Sequence, residues 1–166
     1  MSQTLTFTPA TPADAHELAG ILTEAMRYKL AHQDQTWGDE PYSDAEAAEL
    51  IAVAPTYLIH RDGETVGTVA LDWEDEKTWK DPTHAGYLHR MALKDAFRGQ
   101  GLGEQVLDWA LKEVAKQGRT FLRLDCDSHN TGLCAYYESR GFTRVGTWQS
   151  PRNPAYLAAL YERRVA

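Results

Sequence analysis

Residues 85–127 constrain this chain more than any other stretch. "AGYLHRMAL" reads as a strand, "RGQGLG" as a glycine-rich loop that opens an amphipathic helix to about Gln117, and "TFLRLDCD" as another strand. A strand-helix-strand unit needs a sheet to hold both strands and a helix to cover one face. The flanking elements are of another kind. Upstream, "TLTFTP" alternates as a strand, and Thr11 and Pro12 supply an N-cap and first-turn proline for a helix through "DAHELAGILTEAMRYKLAH", which "QDQTWGDEPY" breaks. Ser43 and Glu46 form an S-x-x-E capping box, so a second helix begins near Asp44. "TYLIHRDGETVGTVALDW" is a hairpin around Asp62-Gly63. Downstream, "NTGLCAYYESR" is a short helix stopped by Gly141, and "GFTRVGTWQ" with "YLAALYERRV" forms a closing antiparallel pair. Together these predict an α/β (α+β) fold with a mixed, mainly antiparallel central sheet and helices on both faces. No repeat, low-complexity tract or Pro/Gly-rich linker divides the chain, so residues 1–166 read as one domain.

Charge and composition exclude several classes of partner. The net charge is −7 and no basic run occurs, which disfavours nucleic acid. No apolar run approaches the ~20 residues that a spanning helix needs, and "MSQTLTFTPATPADAHEL" lacks the regions of a signal peptide, so a cytoplasmic location without a membrane partner is expected. Cys126 and Cys134 are the only cysteines and form no C-x-x-C pair, so they read as reduced structural thiols and no metal is expected. The expected partner is small. Dimerisation through the terminal strands is one option, and a core role for "YLAALYERRV" is the other.

Gly99, Gly101 and Gly103 loosen the backbone where a helix must nucleate. A P-loop would need Gly-Lys-Ser/Thr, but Gly103 is followed by Glu104, and the alternating glycines do not fit G-x-G-x-x-G. A plain tight turn is the bland alternative. Placement favours an anion site, because the orphan N–H groups and the dipole of a helix N-terminus favour negative charge. The overall charge does not forbid this. With a Debye length of about 8 Å at physiological salt, distant carboxylates are screened while the amides and Arg98 act at contact. A phosphate-bearing ligand held mainly by backbone, with Arg98 as a charged clamp, is the expectation.

A second stretch, "LRLDCDSHNTGLCAYYESRGF", sharpens this. Asn130 suits a helix N-cap, and Leu133, Tyr136 and Tyr137 recur at helical spacing. Taken together, the two stretches resemble the GNAT superfamily of acyl-CoA-dependent N-acyltransferases. The R/Q-x-x-G-x-G/A pattern is matched by Arg98, Gly101 and Gly103. The later N-x-x-L-x-x-Y-Y-E-x-x-G-F run is matched by Asn130, Leu133, Tyr136, Tyr137, Glu138, Gly141 and Phe142. The resemblance is strong over residues 84–146 and compatible in element order before that.

The resemblance implies an N-acetyltransferase that uses acetyl-CoA as co-substrate. Backbone groups of Met91, Ala92 and Leu93 would pair with the pantetheine arm, and the amides of Arg98, Gly99, Gln100, Gly101, Leu102 and Gly103 would hold the pyrophosphate. Asn130 would contact the cofactor from the opposite side, and Tyr137 sits where the family has the tyrosine that protonates the departing thiolate. Acyl transfer to an amine also needs a neutral amine and a donor for the developing oxyanion, which the family places on the Met91–Leu93 strand. Asp125 is a candidate base, at a position where some relatives carry a carboxylate, and a helix-approach or salt-bridge carboxylate is the other reading of it. His89, with a reference pKa of about 6.5, is its rival, and a relaying water is a third route. An aromatic and acidic set, Trp37, Asp39, Glu40, Tyr42, Trp73, Glu74 and Asp75, could wall a pocket for a small cationic or amino-acid-like amine, or could form a solvated acidic surface. A peptide N-terminus or a protein lysine is a further acceptor, and a coenzyme A sensor without catalysis or a transferase of longer acyl chains are the alternatives.

Overall fold

The computed structural model describes residues 4–81 and 84–166. Its elements are β1 (Thr6–Pro9), a 3-10 turn (Pro12–Asp14), α1 (Ala15–Ala31), α2 (Asp44–Val53), β2 (Thr56–Arg61), β3 (Glu64–Asp72) and β4 (Ala85–Leu93). After a second 3-10 turn (Asp95–Phe97) come α3 (Leu102–Lys116), β5 (Phe121–Asp127), α4 (Thr131–Ser139), β6 (Thr143–Gln149) and β7 (Leu157–Arg164). The strand order is β1-β2-β3-β4-β5-β7-β6, a mixed seven-stranded sheet whose one parallel pair among those described is β4 with β5. The fold is the α/β arrangement that the sequence predicts.

Two compact units make up the chain: residues up to Asp72 with His89–Trp109, and Trp73–Leu88 with Ala110–Ala166. In the first, local chemistry sets the element ends. The Asp14 carboxylate accepts from the Thr11 N–H at 2.8 Å, which starts the helical turn one step before α1 proper. Ser43 Oγ accepts from the Glu46 N–H at 3.0 Å and Glu46 Oε1 from the Ser43 N–H at 3.1 Å, completing the capping box of α2. The β2–β3 turn has positive φ at Asp62 (52°) and Gly63 (80°), as a two-residue hairpin of right-handed twist requires. β3 is buried on both faces from Val66 to Leu71, so it reads as an apolar run and not as an alternation.

Gly67 in β3 is where the backbones approach most closely. A Cβ there would lie 2.3 Å from the Ala92 carbonyl oxygen of β4 and 3.1 Å from Leu93 Cδ2. Backbone cannot yield as a side-chain tip can. We expect Gly67→Ala to destabilise the protein by about 1–3 kcal/mol, lowering the melting temperature by roughly 2–12 °C in a thermal melt. An unchanged melt would show that the two strands are free to separate.

In the second unit, β7 lies between β5 and β6 and pairs antiparallel with both. Its Ala158, Ala159, Leu160 and Tyr161 are buried, so "YLAALYERRV" is a core strand. Trp79, Ala85, Tyr87 and Leu160 form a buried cluster on which Phe121 and Trp148 pack. Of the buried stripe of the amphipathic helix α3, Ala110, Leu111 and Val114 belong to this unit and Leu102, Val106 and Leu107 to the first.

Candidate active site

The glycine loop of the first unit joins β4 to α3. Gly99 and Gly101 have φ of 75° and 73°, a region open to glycine, whereas Gly103 lies within the first turn of α3. A Cβ at Gly99 or Gly101 would meet nothing within 4 Å, so the space at both residues is open. Leu102, 1 % exposed, pins the loop to the core. Gln100 is tied down by its side chain: Oε1 accepts from Arg61 Nη1 at 2.9 Å, and Nε2 donates to the Ala96 carbonyl at 3.3 Å. The first N–H groups of α3 have no partner within the helix, which gives this end a partial positive charge. An open space beside the first N–H groups of a helix could hold a diphosphate.

Arg98 belongs to this loop but is already engaged. Its Nε donates to Asp95 Oδ1 at 2.9 Å, its guanidinium lies 3.7 Å from the centroid of the Tyr28 ring, and its Nη2 is buried without a hydrogen-bond partner. The Asp95 N–H in turn donates to Glu24 Oε2 at 3.0 Å. The side chain therefore shapes the loop as well as supplying positive charge.

Met91, Ala92 and Leu93 end β4. The described β4–β5 ladder runs from Ala85↔Phe121 to Tyr87↔Arg123, and so does not reach these residues. Ala92 is buried against Ile21, Ala25 and Leu58, which holds this segment firmly. Just before it, Arg90 has φ 48°, a left-handed conformation that costs a non-glycine residue about 1–3 kcal/mol. His89, the rival base, is half-buried on the same strand.

In the second unit, Asp125 on β5 and Tyr137 on α4 come together. Burial, and then the nearby Asp75 carboxylate, push the Asp125 carboxyl up to about 6. Tyr137 is 7 % exposed, enclosed by the rings of Tyr136 at 5.5 Å, Phe142 at 5.8 Å and Tyr161 at 6.2 Å. Burial, with smaller contributions from Cys126, Tyr136 and Asp125, raises its pKa, so the phenol keeps its proton at neutral pH. Among the described residues none accepts a hydrogen bond from its hydroxyl. Tyr161 donates to Glu138 Oε2 at 2.7 Å and Arg163 to the Arg140 carbonyl at 2.7 Å, and these bonds hold α4 on β7. Asn130 caps α4, its Oδ1 accepting from the Leu133 N–H at 3.1 Å.

The expected substrate residues are divided between the units. Trp37 packs into the clusters of α1 and α2 with Lys29 Nζ 5.2 Å from its ring centroid, so it pins its loop. Tyr42 donates its N–H to Thr23 Oγ1 at 2.9 Å and lines an open cavity of about 390 Å³ with His16, Thr23, Glu24, Arg27 and Asp44. Glu74 is exposed in the second unit. That loop is anchored by Arg123, which makes a forked pair with Asp81 at 2.9 and 2.7 Å, meets Glu162 at 3.1 Å and lies 4.3 Å from the Trp79 ring centroid. Sequence reading did not find Arg123. Its partner Asp81 is 42 residues away, and no spacing rule links them.

Comparison with known proteins gives the family. The family model described as "Acetyltransferase (GNAT) family" matches residues 18–142. The chain belongs to the GNAT acetyltransferase family, whose members are acyltransferases. It is 28 % identical over 147 residues to the uncharacterized N-acetyltransferase YesJ of Bacillus subtilis (strain 168), covering 83 % of this chain and 81 % of that protein. It is 24 % identical over 137 residues to the aminoalkylphosphonate N-acetyltransferase of Salmonella typhimurium, covering 80 % and 81 %. In fold it is similar to AAC(6′)-Ib in complex with ribostamycin and coenzyme A, with a TM-score of 0.77, 19 % identity and coverage of 98 % and 94 %. No helix among the described residues is long and apolar enough to cross a membrane.

Proposed function

We propose that this protein transfers the acetyl group of acetyl-CoA to the primary amine of a small molecule by direct attack in a ternary complex. The observation that carries the reading is the open backbone cradle of Gly99 and Gly101 at the start of α3, in a chain of this family. Acetyl-CoA supplies an activated thioester; the rest of the chemistry falls to the chain. The amides from Arg98 to Gly103 bind the diphosphate. Backbone groups of Met91, Ala92 and Leu93 hold the pantetheine arm, and an N–H of this segment stabilises the developing oxyanion. Asp125 takes a proton from the acceptor's ammonium, directly or through water, and the neutral amine then attacks the thioester carbonyl; the further proton that its nitrogen loses on becoming an amide balances the one that Tyr137 gives up. A carboxyl raised to about 6 is ionised at pH 7 and is a stronger base than an ordinary aspartate. Tyr137 gives its proton to the departing sulfur, and Asn130 contacts the cofactor while capping α4.

A small amine is favoured over a protein lysine because the cavity at Tyr42 is of small-molecule size, about 390 Å³. The aminoalkylphosphonate N-acetyltransferase among the relatives and the ribostamycin complex of AAC(6′)-Ib are in keeping with it. The family match over residues 18–142 supports one such domain over residues 1–166. Two free thiols with their sulfurs 3.8 Å apart suit the reducing cytoplasm.

Incubation with acetyl-CoA and a panel of amines, followed by released thiol, tests the activity. Thiol release dependent on an amine is expected, and its absence across the panel despite cofactor binding would leave a coenzyme A-binding module. The cradle has its own test. Gly101→Val forces a β-branched residue to φ 73°, so the dissociation constant for coenzyme A should rise about tenfold or more by calorimetry. The strain of about 1–2 kcal/mol should lower the melting temperature by only about 2–8 °C. Unaltered affinity would move the diphosphate elsewhere.

A further inference from the structure

Two thiols touch within the second unit, close to Tyr137 in the chain. Cys126 of β5 and Cys134 of α4 have their sulfurs 3.8 Å apart, both are free, and they are 5 % and 9 % exposed. The two elements are held differently. β5 is fixed by its ladder with β7, which runs from Phe121 to Asp127. The first turn of α4 hangs on local bonds: Asn130 Oδ1 accepts from the Leu133 N–H at 3.1 Å, the Asn130 carbonyl from the Cys134 N–H at 3.0 Å, and the Asp127 carbonyl from the Cys134 thiol at 3.7 Å. The far end of α4 is tied to β7 through Glu138 and Arg140, so a pull on its start tilts the helix.

Sulfurs in contact across two elements can be joined by oxidation. A hydroperoxide takes the more exposed thiol, Cys134, to a sulfenic acid: its O–O bond breaks, one oxygen goes to sulfur and the other leaves as an alcohol or as water. The Cys126 sulfur then attacks that of Cys134, the S–S bond forms, the S–O bond breaks, and the hydroxyl leaves as water with the Cys126 proton. The sulfur pair loses two electrons and the peroxide gains them. A disulfide bond is about 2.05 Å long, so the sulfurs must close by roughly 1.8 Å, and the thiol hydrogen that bonds the Asp127 carbonyl is lost. Side-chain rotation supplies part of that movement, and close packing passes the rest to the start of α4. Cys134 and Tyr137 are the buried residues of α4, three apart and so on one face. What moves Cys134 moves Tyr137.

We propose that Cys126 and Cys134 form a redox switch: a hydroperoxide closes them into a disulfide that draws the start of α4 toward β5, displaces Tyr137 and slows turnover, and a dithiol reverses it. The effect on turnover rests on the acetyl-transfer reading, in which Tyr137 is the acid. In the test the protein is treated with hydrogen peroxide, freed of it, weighed by intact mass spectrometry after alkylation in denaturant, and assayed by loss of thioester absorbance. The mass should fall by two hydrogens with neither cysteine alkylated, and kcat should fall about tenfold or more. Dithiothreitol should restore both, since it opens a disulfide and leaves methionine sulfoxide as it is. Cys126→Ser and Cys134→Ser should each keep their own untreated kcat within about twofold after peroxide. Tyr137→Phe already lacks the acid, so it should form the disulfide and lose less than about twofold further.

A protein that gains oxygen without joining Cys126 to Cys134, or joins them with kcat unchanged, overturns the proposal. So does a loss of rate that persists in the serine variants, which belongs to oxidation elsewhere, Met91 included, or a full further loss in Tyr137→Phe. Should the serine variants not melt cooperatively, reversal in the wild type carries the test, and a loss that dithiothreitol does not restore overturns the switch. Hydrogen exchange of the α4 amides separates this inference from the activity. Where no amine is turned over, a disulfide that changes exchange across Thr131–Ser139 sinks acetyl transfer and leaves the switch standing. Unchanged exchange in the oxidised protein sinks the switch.

Discussion

Replacing Tyr137 by phenylalanine is expected to lower kcat about 100-fold, the usual worth of a positioned general acid, while the affinity for coenzyme A stays within about twofold. Tyr137 is packed among Tyr136, Phe142 and Tyr161, and a phenylalanine ring fills the same space. Its hydroxyl donates to no described residue, so removing it leaves no partner stranded and stability should hold or rise slightly. The raised pKa keeps the phenol protonated across the working range. A variant that melts like the wild type, binds coenzyme A and turns over slowly isolates the proton donor. An unchanged kcat would remove Tyr137 from that role.

The second large effect concerns Asp125. A base acts when deprotonated, so raising its pKa from the ordinary value near 4 to about 6 moves the onset of activity upward. The kcat/KM profile should fall below about pH 6 as Asp125 takes up a proton. Asp125→Asn should lower kcat/KM by about 10²–10⁴ at neutral pH and abolish that limb, leaving the rise caused by the substrate amine's own titration. Retention of the limb in the variant would assign it to another group, and His89 would be the next residue to replace. Exchange of Asp75 for Asn offers a quieter check: it removes the second cause of the shift, so the limb should move to lower pH.

Which parts of this were legible in the sequence follows from how local each signal is. The capping box at Ser43 and Glu46 and the Asp62-Gly63 turn are written within four residues and form as read. The two long motifs mark the positive-φ glycines Gly99 and Gly101 and the capping asparagine Asn130, because each is a local backbone demand. Contacts between distant segments left no such trace. The insertion of β7 between β5 and β6 is set by long-range pairing, and antiparallel alternation looks the same in either order. The approach of Gly67 to the Ala92 carbonyl, the Arg123–Asp81 clamp and the strained backbone at Arg90 belong to the same class. Arg98 shows the middle case: its motif position was readable, but its pairing with Asp95 and stacking on Tyr28 were not.

The central claim is that the peptide N–H groups from Arg98 to Gly103 receive a diphosphate. A crystal structure of the protein grown with coenzyme A tests it most directly. Phosphate oxygens are expected within about 2.7–3.2 Å of amide nitrogens in that segment. A well-ordered coenzyme A whose diphosphate contacts side chains elsewhere and leaves those amides to water would contradict it.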